Sequence, residues 1–426
     1  MRVLFVSAPL LGHMLPLVPL AEALRRAGHD VLIATAADAL TAGRTAKLPV
    51  VDVAPGFSFA RIARRTMLRH PFIARAELAG TGGTRGVGLL FGTVNEQLVD
   101  GVAATADRFR PDLVVHEPLA VAGAVVAARR GVPAVRHENN LFDGAVLTAV
   151  TAGPALRRHR VDGLPDPAAV VQIAPAELVG ERPGLPMRRL PVGASPNRTG
   201  SLAHPRGLSA DLGGSAAQPG GPFAGPGGPA AGVGGPFAGV GGAVVRPGGS
   251  AGPGGEPVTP LPPAGTRPRI AVTRSTVEGP GSGGIMRAIV AVAAGVDADI
   301  LLVRPERRLP DSLPGNVYTT GWVQLDALMP TLDAVVHHGG AGTVLGALAA
   351  GVPQLVVPGP GDRRHNAGVV ERSGAGWAMS ASAITADQLH RLLSDYGLRM
   401  TAGRFKASIA ARPHPDEVAA QLAAIV

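Results

Sequence analysis

The stretch from Val336 to Asp362, VHHGGAGTVLGALAAGVPQLVVPGPGD, limits the fold of this chain more than any other. An apolar run, Leu332-Asp333-Ala334-Val335-Val336, reads as a strand leaving a core. Two histidines follow, then Gly339, Gly340, Ala341, Gly342 and Thr343. Small and apolar residues continue without a helix breaker until Gly351. The pattern is strand, glycine turn, helix. Glycines let the backbone come close to an anion, and the first amides of the helix and its dipole favour negative charge there. A diphosphate suits such a place, and His338 adds a donor if its free ring nitrogen faces the ligand. Glycines at this position also serve simply to turn the chain. The balance tips toward a ligand because a second strand, Gln354 to Val357, ends in Pro358-Gly359-Pro360-Gly361-Asp362. Ligands of open α/β sheets lie outside the carboxyl ends of strands, so both loops should face one cleft.

The other half opens in a related way. Arg2 to Ser7 is an apolar run of the kind buried on both faces of a parallel sheet. Pro9 to Leu15 reads as a loop. Leu17 to Ala27 reads as a helix, with Leu17, Leu20, Ala21, Leu24 and Ala27 on one side and Glu22, Arg25 and Arg26 on the other. Gly28 supplies the stop, and Val31 to Ala34 is the second strand. Strand, helix, strand implies a doubly wound sheet. It is not a dinucleotide fingerprint, because the loop has Gly12 alone where three spaced glycines are needed. A further strand, within Pro111 to Pro118, ends at Glu117; Asp112 opens it, about 15 Å away at about 3.3 Å per residue. Residues 55–100 read as an arginine-rich amphipathic helix followed by a mobile loop with five glycines between Gly80 and Gly88.

In the second half, Arg269 to Thr273 and Ile300 to Val303 read as strands and Ile285 to Ala294 as a helix between them. Val317 to Val323 leads into Gly321-Trp322-Val323. Helices around Asp387 to Leu393 and Glu417 to Ile425 complete the chain. Asp297-Ala298-Asp299 imitates an Asp-x-Asp metal site but precedes its strand, on the wrong edge for a ligand. Between the halves, residues 213–265 are Gly, Pro and Ala with little else. GGPFAGPGGPAAGV from Gly220 returns fourteen residues later as GGPFAGVGGAVVRP. So few large apolar groups cannot offset the entropy of ordering, which predicts a linker, semi-stiff through its prolines. The expected division is 1–205, a linker or insertion 206–265, and 266–426.

Composition closes off several function classes. The net charge of +9 is almost all arginine, since Lys47 and Lys406 are the only lysines. These arginines are scattered and not interleaved with aromatics, so attraction of an anionic small molecule is a cheaper explanation than nucleic acid. Absence of cysteine excludes disulfides, thiolate catalysis and thiolate zinc sites. No uninterrupted apolar span reaches the roughly 18 residues of a membrane helix. Pro9, Gly12, His13 and Pro16 break the apolar N-terminus, which lacks a signal-peptide cleavage pattern. A cytoplasmic location without stable membrane insertion is expected.

HHGGAGT, then GVPQLVVP, then Asp362 and Asn366-Ala367, resembles the nucleotide-sugar signature of family 1 glycosyltransferases, most closely the actinomycete type that decorates antibiotics and other natural products. The resemblance covers roughly residues 1–200 and 266–426. It implies a GT-B fold, two doubly wound α/β domains facing across a cleft, and inverting, metal-independent transfer. The donor would be a nucleoside-diphosphate hexose or deoxyhexose, the acceptor a hydroxyl of a small natural product. Gly12-His13-Met14-Leu15-Pro16 then matches the acceptor-side loop, with His13 as general base and Glu117 as its orienting carboxylate, Asp112 in reserve. An imidazole at a strand tip has a pKa near working pH, as a base for a sugar-accepting hydroxyl needs.

On the donor side the resemblance assigns Ser275, Thr276, His338, Gly340, Gly342, Thr343 and Asp362. Trp322, with Val323 beside it at the turn, either flanks the nucleotide base or is a core tryptophan. Arg274 interrupts a loop that usually carries glycine, and could itself pair with phosphate. Arg363 stands where glutamine is common. A deoxysugar has fewer hydroxyls to satisfy, so this departure favours a thymidine-linked deoxyhexose. Asn139 and Phe142 are expected to line the acceptor pocket. No cofactor is expected beyond the sugar nucleotide as co-substrate, and a homodimer is left open. Two rivals stand beside this function. A sugar-nucleotide epimerase of the same plan would need extra acid-base residues in the donor cleft; a catalytically degenerate partner protein would bind nucleotide without turnover.

Overall fold

The computed structural model describes residues 1–79, 82–192, 267–275, 284–306, 309–359 and 361–426. The Gly/Pro-rich segment 206–265, Thr276 and Pro360 lie outside the described residues. Two wholly parallel sheets organise the rest. The first has seven strands: β1 Arg2–Val6, β2 Asp30–Thr35, β3 Val50–Asp52, β4 Leu113–His116, β5 Ala134–Glu138, β6 Ala169–Gln172 and β7 Leu185–Pro186, in the order β3-β2-β1-β4-β5-β6-β7. The second has six: β8 Arg269–Thr273, β9 Asp299–Val303, β10 Val317–Thr320, β11 Ala334–His337, β12 Gln354–Val356 and β13 Gly376–Ala378, ordered β10-β9-β8-β11-β12-β13. Both orders reverse direction once, between β1 and β4 and between β8 and β11. That crevice is where a doubly wound sheet binds its ligand.

The central strands are continuous apolar runs because helices cover both sheet faces. Leu113–His116, Arg269–Thr273 and Ala334–His337 are buried along their whole length. Apolar packing also runs from one half into the other. A single cluster holds Met14, Leu17 and Leu20 together with Val344, Leu345, Val418 and Leu422. The last helix, Pro415–Ala423, counted with the second half from sequence, packs on the first-half helix Val18–Arg26. Arg412 stitches the approach to it, donating to the carbonyls of Met187 at 3.2 Å and Gln172 at 2.5 Å.

Three elements differ from the sequence expectation. Pro9 to Leu15 is not simply a loop: Leu11–Met14 winds into one helical turn and Leu15–Leu17 into a 3-10 turn, so His13 sits on helical backbone. The glycine-rich stretch after residue 80 runs into a 25-residue helix, Arg85–Phe109. Its glycines serve close packing. A β-carbon at Gly88 would lie 2.9 Å from the Val150 carbonyl oxygen, and one at Gly92 3.1 Å from Pro154 Cγ. These bare positions let the helix lie against Gly144–His159. Helix Tyr396–Ala410 was not foreseen; Asp395 caps it by accepting from the Leu398 amide at 3.0 Å.

Candidate active site

The functional candidates gather at the carboxyl ends of the strands. In the first sheet, His13 follows β1 and Glu117 ends β4, flanking the reversal of strand order. His13 Nδ1 lies 3.3 Å from Glu117 Oε1; the imidazole is 20% exposed and the carboxylate wholly buried. This is ion-pair range, and Nδ1 has no other partner among the described residues. Glu117 is fixed from behind: Oε1 accepts from the Ala8 amide at 3.1 Å and Oε2 from the Leu119 amide at 2.9 Å. Asp112 is at the other edge of the sheet, bound to Arg2.

Electrostatics in this pair oppose burial. Desolvation pushes the His13 pKa down, but the charge and hydrogen bond of Glu117, joined by the charge of Asp362, hold it above the ordinary histidine value. Burial pushes Glu117 up, while His13 and the two backbone amides hold it below the usual carboxylate value. Asp362 opens the helix Asp362–Ser373 that follows β12, so charges from both halves of the chain act on His13. Asn139 donates to the His13 carbonyl oxygen at 3.2 Å, and Phe142 stacks edge-on against His365, centroids 4.9 Å apart.

Around the second sheet, Ser275 follows β8, His338 follows β11, Asp362 follows β12 and Trp322 follows β10. The two histidines diverge. His337 is buried; its Nδ1 accepts from the Gly339 amide at 3.1 Å, so Nε2 donates to Gln354 Oε1 at 3.0 Å. Burial holds its pKa at about 4. His338 is driven to about 3 by burial, then by Arg363 and His337. It is therefore neutral, and its Nδ1 is buried with no partner among the described residues.

The glycine turn has three jobs. Gly339 has φ +90°, and a β-carbon there would sit 2.9 Å from the Arg363 carbonyl oxygen. Gly340, the N-cap of helix Ala341–Ala350, has no room either: a β-carbon would be 2.7 Å from His338 Nε2. At Gly342 it would meet nothing within 4 Å. No side chain caps this helix, nor the helix Asp362–Ser373 beyond Gly361. Two helix starts thus lack a side-chain cap at one edge of the sheet, where unsatisfied amides attract an anion. Thr343 lies in the first turn of the former.

Arg363 is half-buried and donates to Ser275 Oγ at 2.8 Å, bringing two expected donor-side residues together. Arg274 instead points its Nε at the Arg304 carbonyl oxygen, 2.7 Å away. Trp322 is 57% exposed under the Arg304 guanidinium, 5.2 Å from the ring centre, which removes the alternative of a core tryptophan; Val323 beside it is partly buried. Asp297 pairs with Arg267 on the far edge.

Sequence reasoning assigned no role to the residues that brace these groups, although Asn366 stood within the signature. Asn366 is buried and donates to both the Gly339 carbonyl oxygen (2.8 Å) and Asp362 Oδ2 (3.0 Å), tying the glycine turn to the next helix. Asn95 donates to the carbonyls of Phe91 and Leu119 and accepts from the Ala122 amide, bracing the loop beyond Glu117. Phe91 stacks on His13, centroids 5.7 Å apart. A polar residue on an otherwise apolar helical face, as at Asn95, is the signal that could have found it.

Two parallel doubly wound sheets, with their switch-point residues gathered this way, make a GT-B glycosyltransferase fold. Family models described as erythromycin biosynthesis protein CIII-like match at residues 22–173 (N-terminal domain) and 287–425 (C-terminal domain). The chain is 33% identical to elloramycin glycosyltransferase ElmGT of Streptomyces olivaceus over 430 residues, covering 99% of this chain and 97% of the relative. It is 29% identical to TDP-daunosamine transferase DnrS of Streptomyces peucetius, covering 98% and 95%. The crystal structure of glycosyltransferase SnogD from Streptomyces nogalater superimposes with a TM-score of 0.70 at 32% identity, covering 100% of this chain and 99% of that one. The chain belongs to the erythromycin CIII-like family of antibiotic glycosyltransferases.

Proposed function

We propose that the chain transfers a hexose or deoxyhexose from a thymidine-diphosphate sugar to a hydroxyl of a small natural-product acceptor, with inversion. The observation that carries this is the solvent-touched imidazole of His13, 3.3 Å from a buried carboxylate and within the field of Asp362 from the opposite half. With Nδ1 turned to Glu117, Nε2 takes the acceptor proton. The acceptor oxygen bonds to the anomeric carbon as the carbon–oxygen bond to the diphosphate breaks, and that electron pair leaves on the diphosphate. One displacement from the far face inverts the configuration. Glu117 stabilises the imidazolium that forms.

The leaving diphosphate is met by the amides at the start of helix Ala341–Ala350, by a neutral N–H of His338, and by Ser275 and Arg363, with Thr276 as a further donor. These donors, with the Arg363 guanidinium among them, offset the departing charge without calling on a metal ion. Trp322 offers a face for the base with Val323 beside it, and Asp362 accepts from sugar hydroxyls. Asn139 and Phe142 border the acceptor. The thymidine preference is supported by Arg363 standing where an amide would serve an extra hydroxyl, and by the name of the relative that uses a TDP sugar.

The test is His13→Ala, with transfer followed on a panel of aromatic polyketide and macrolide aglycones and dTDP binding followed by calorimetry. Transfer is expected to vanish while dTDP binding persists. Near-normal turnover would remove His13 from the mechanism.

A further inference from the structure

Glu117 has a neighbour that the transfer step does not use. The pairing of His116 with Arg136, carried one residue past the end of β4, brings His137 beside Glu117, about 4.8 Å away by ordinary sheet spacing. Alternation puts both side chains, with Val115 and Val135, on the sheet face that packs against Met14 and Leu17. His137 is wholly buried, and neither ring nitrogen has a hydrogen-bond partner among the described residues. An imidazole in that state is a costly way to fill volume that phenylalanine or leucine would fill without penalty.

The groups around it narrow its use. Burial keeps its pKa at about 4, so it is neutral and carries one N–H; its own backbone carbonyl and then the charge of Glu117 oppose that burial. Asn139, next on the same face, is engaged by the His13 carbonyl and by Asn140. His116 lies on the other face, with Nδ1 at the Glu117 carbonyl oxygen. Glu117 takes one amide on each carboxylate oxygen, and each oxygen can accept more.

We propose that His137 is a positioning residue for the His13 base: its N–H reaches the Glu117 carboxylate through one water molecule and fixes the orientation in which Glu117 holds His13. This rests on His13 being the base, which the His13→Ala experiment tests separately. Here the readout needs no acceptor: titration of the His13 ring by NMR on ¹³C-histidine-labelled full-length protein, assigned with His13→Ala. His13 is faced by Glu117, Asp362 and Phe91. In His137→Phe, Glu117 loses a donor, its charge is less offset, and it holds the imidazolium more strongly. The His13 titration should move up by about half a pH unit or more, while dTDP binding stays unchanged by calorimetry. His137→Gln, which keeps an N–H, should return it toward wild type. A folded His137→Phe with His13 titration unchanged or lowered overturns the proposal. Should that variant not fold, the wild-type ring N–H of His137 decides: a slowly exchanging, hydrogen-bonded proton supports it, and a rapidly exchanging one overturns it.

Discussion

Replacing Gly342 with alanine should raise the stability of the free protein and weaken its grip on the donor. Gly342 is the second residue of helix Ala341–Ala350, and a β-carbon there meets no protein atom within 4 Å. Alanine is favoured over glycine in a helix by up to about 1 kcal/mol, which in a domain of this size moves Tm by about 2–4 °C. The open space beside Gly342 is where the diphosphate is proposed to approach the helix amides. A methyl group there would displace it from one charge-assisted hydrogen bond, worth about 1.5–3 kcal/mol. The Kd for dTDP should therefore rise by about 10- to 150-fold. Thermal melting without ligand and calorimetry with dTDP read the two effects separately. A variant of equal or higher Tm that binds dTDP with unchanged Kd would refute the placement of the diphosphate.

Gly339→Ala should behave in the opposite sense, costing about 1–3 kcal/mol of stability, because φ is +90° and the methyl would press on the Arg363 carbonyl; a lowered Tm without ligand checks it. Glu117→Gln should lower kcat by about 10²-fold or more on any acceptor the wild type glycosylates. In that variant the acid limb of the pH–rate profile should move to lower pH, since burial still depresses the His13 pKa and the charge that raised it is gone. Stability should fall as pH drops below about 6.5, the unfolded histidine value. His116, His137 and His337 have native pKa values of about 4, so the unfolded chain binds more protons between those limits. The loss is roughly 1 kcal/mol per histidine for each pH unit, followed by urea melts from pH 7 to 5. His13 opposes this trend, because its raised native pKa adds stability below about 6.5 that disappears as pH rises through it.

Much of the fold was legible because parallel strands buried on both faces are written as apolar runs. Arg2–Val6, Arg269–Thr273 and Ala334–His337 stand out against glycine turns and amphipathic helices. What misled was glycine inside helices. Gly88 reads as part of a mobile loop, yet it and Gly92 leave room for Arg85–Phe109 to lie against its partner helix, a tertiary demand that no local pattern announces. Helix Tyr396–Ala410 was hidden in the same way by Gly397 and Gly403. His13, Glu117, His338 and Asp362 could be named because the family resemblance points to them and strand ends mark the ligand edge of such sheets. The bracing contacts of Asn95, Asn366 and His137 were not legible: they run through neighbours brought together only by packing, and a buried amide or imidazole looks in sequence like any polar residue on an apolar element.

The most direct measurement is the structure of crystals soaked with dTDP. The diphosphate is expected within hydrogen-bond distance of the Ala341 and Gly342 amides, close to His338 and Ser275, with the side that would carry the sugar turned toward His13. Diphosphate density away from both helix starts, or a terminal phosphate facing away from His13, would contradict the account.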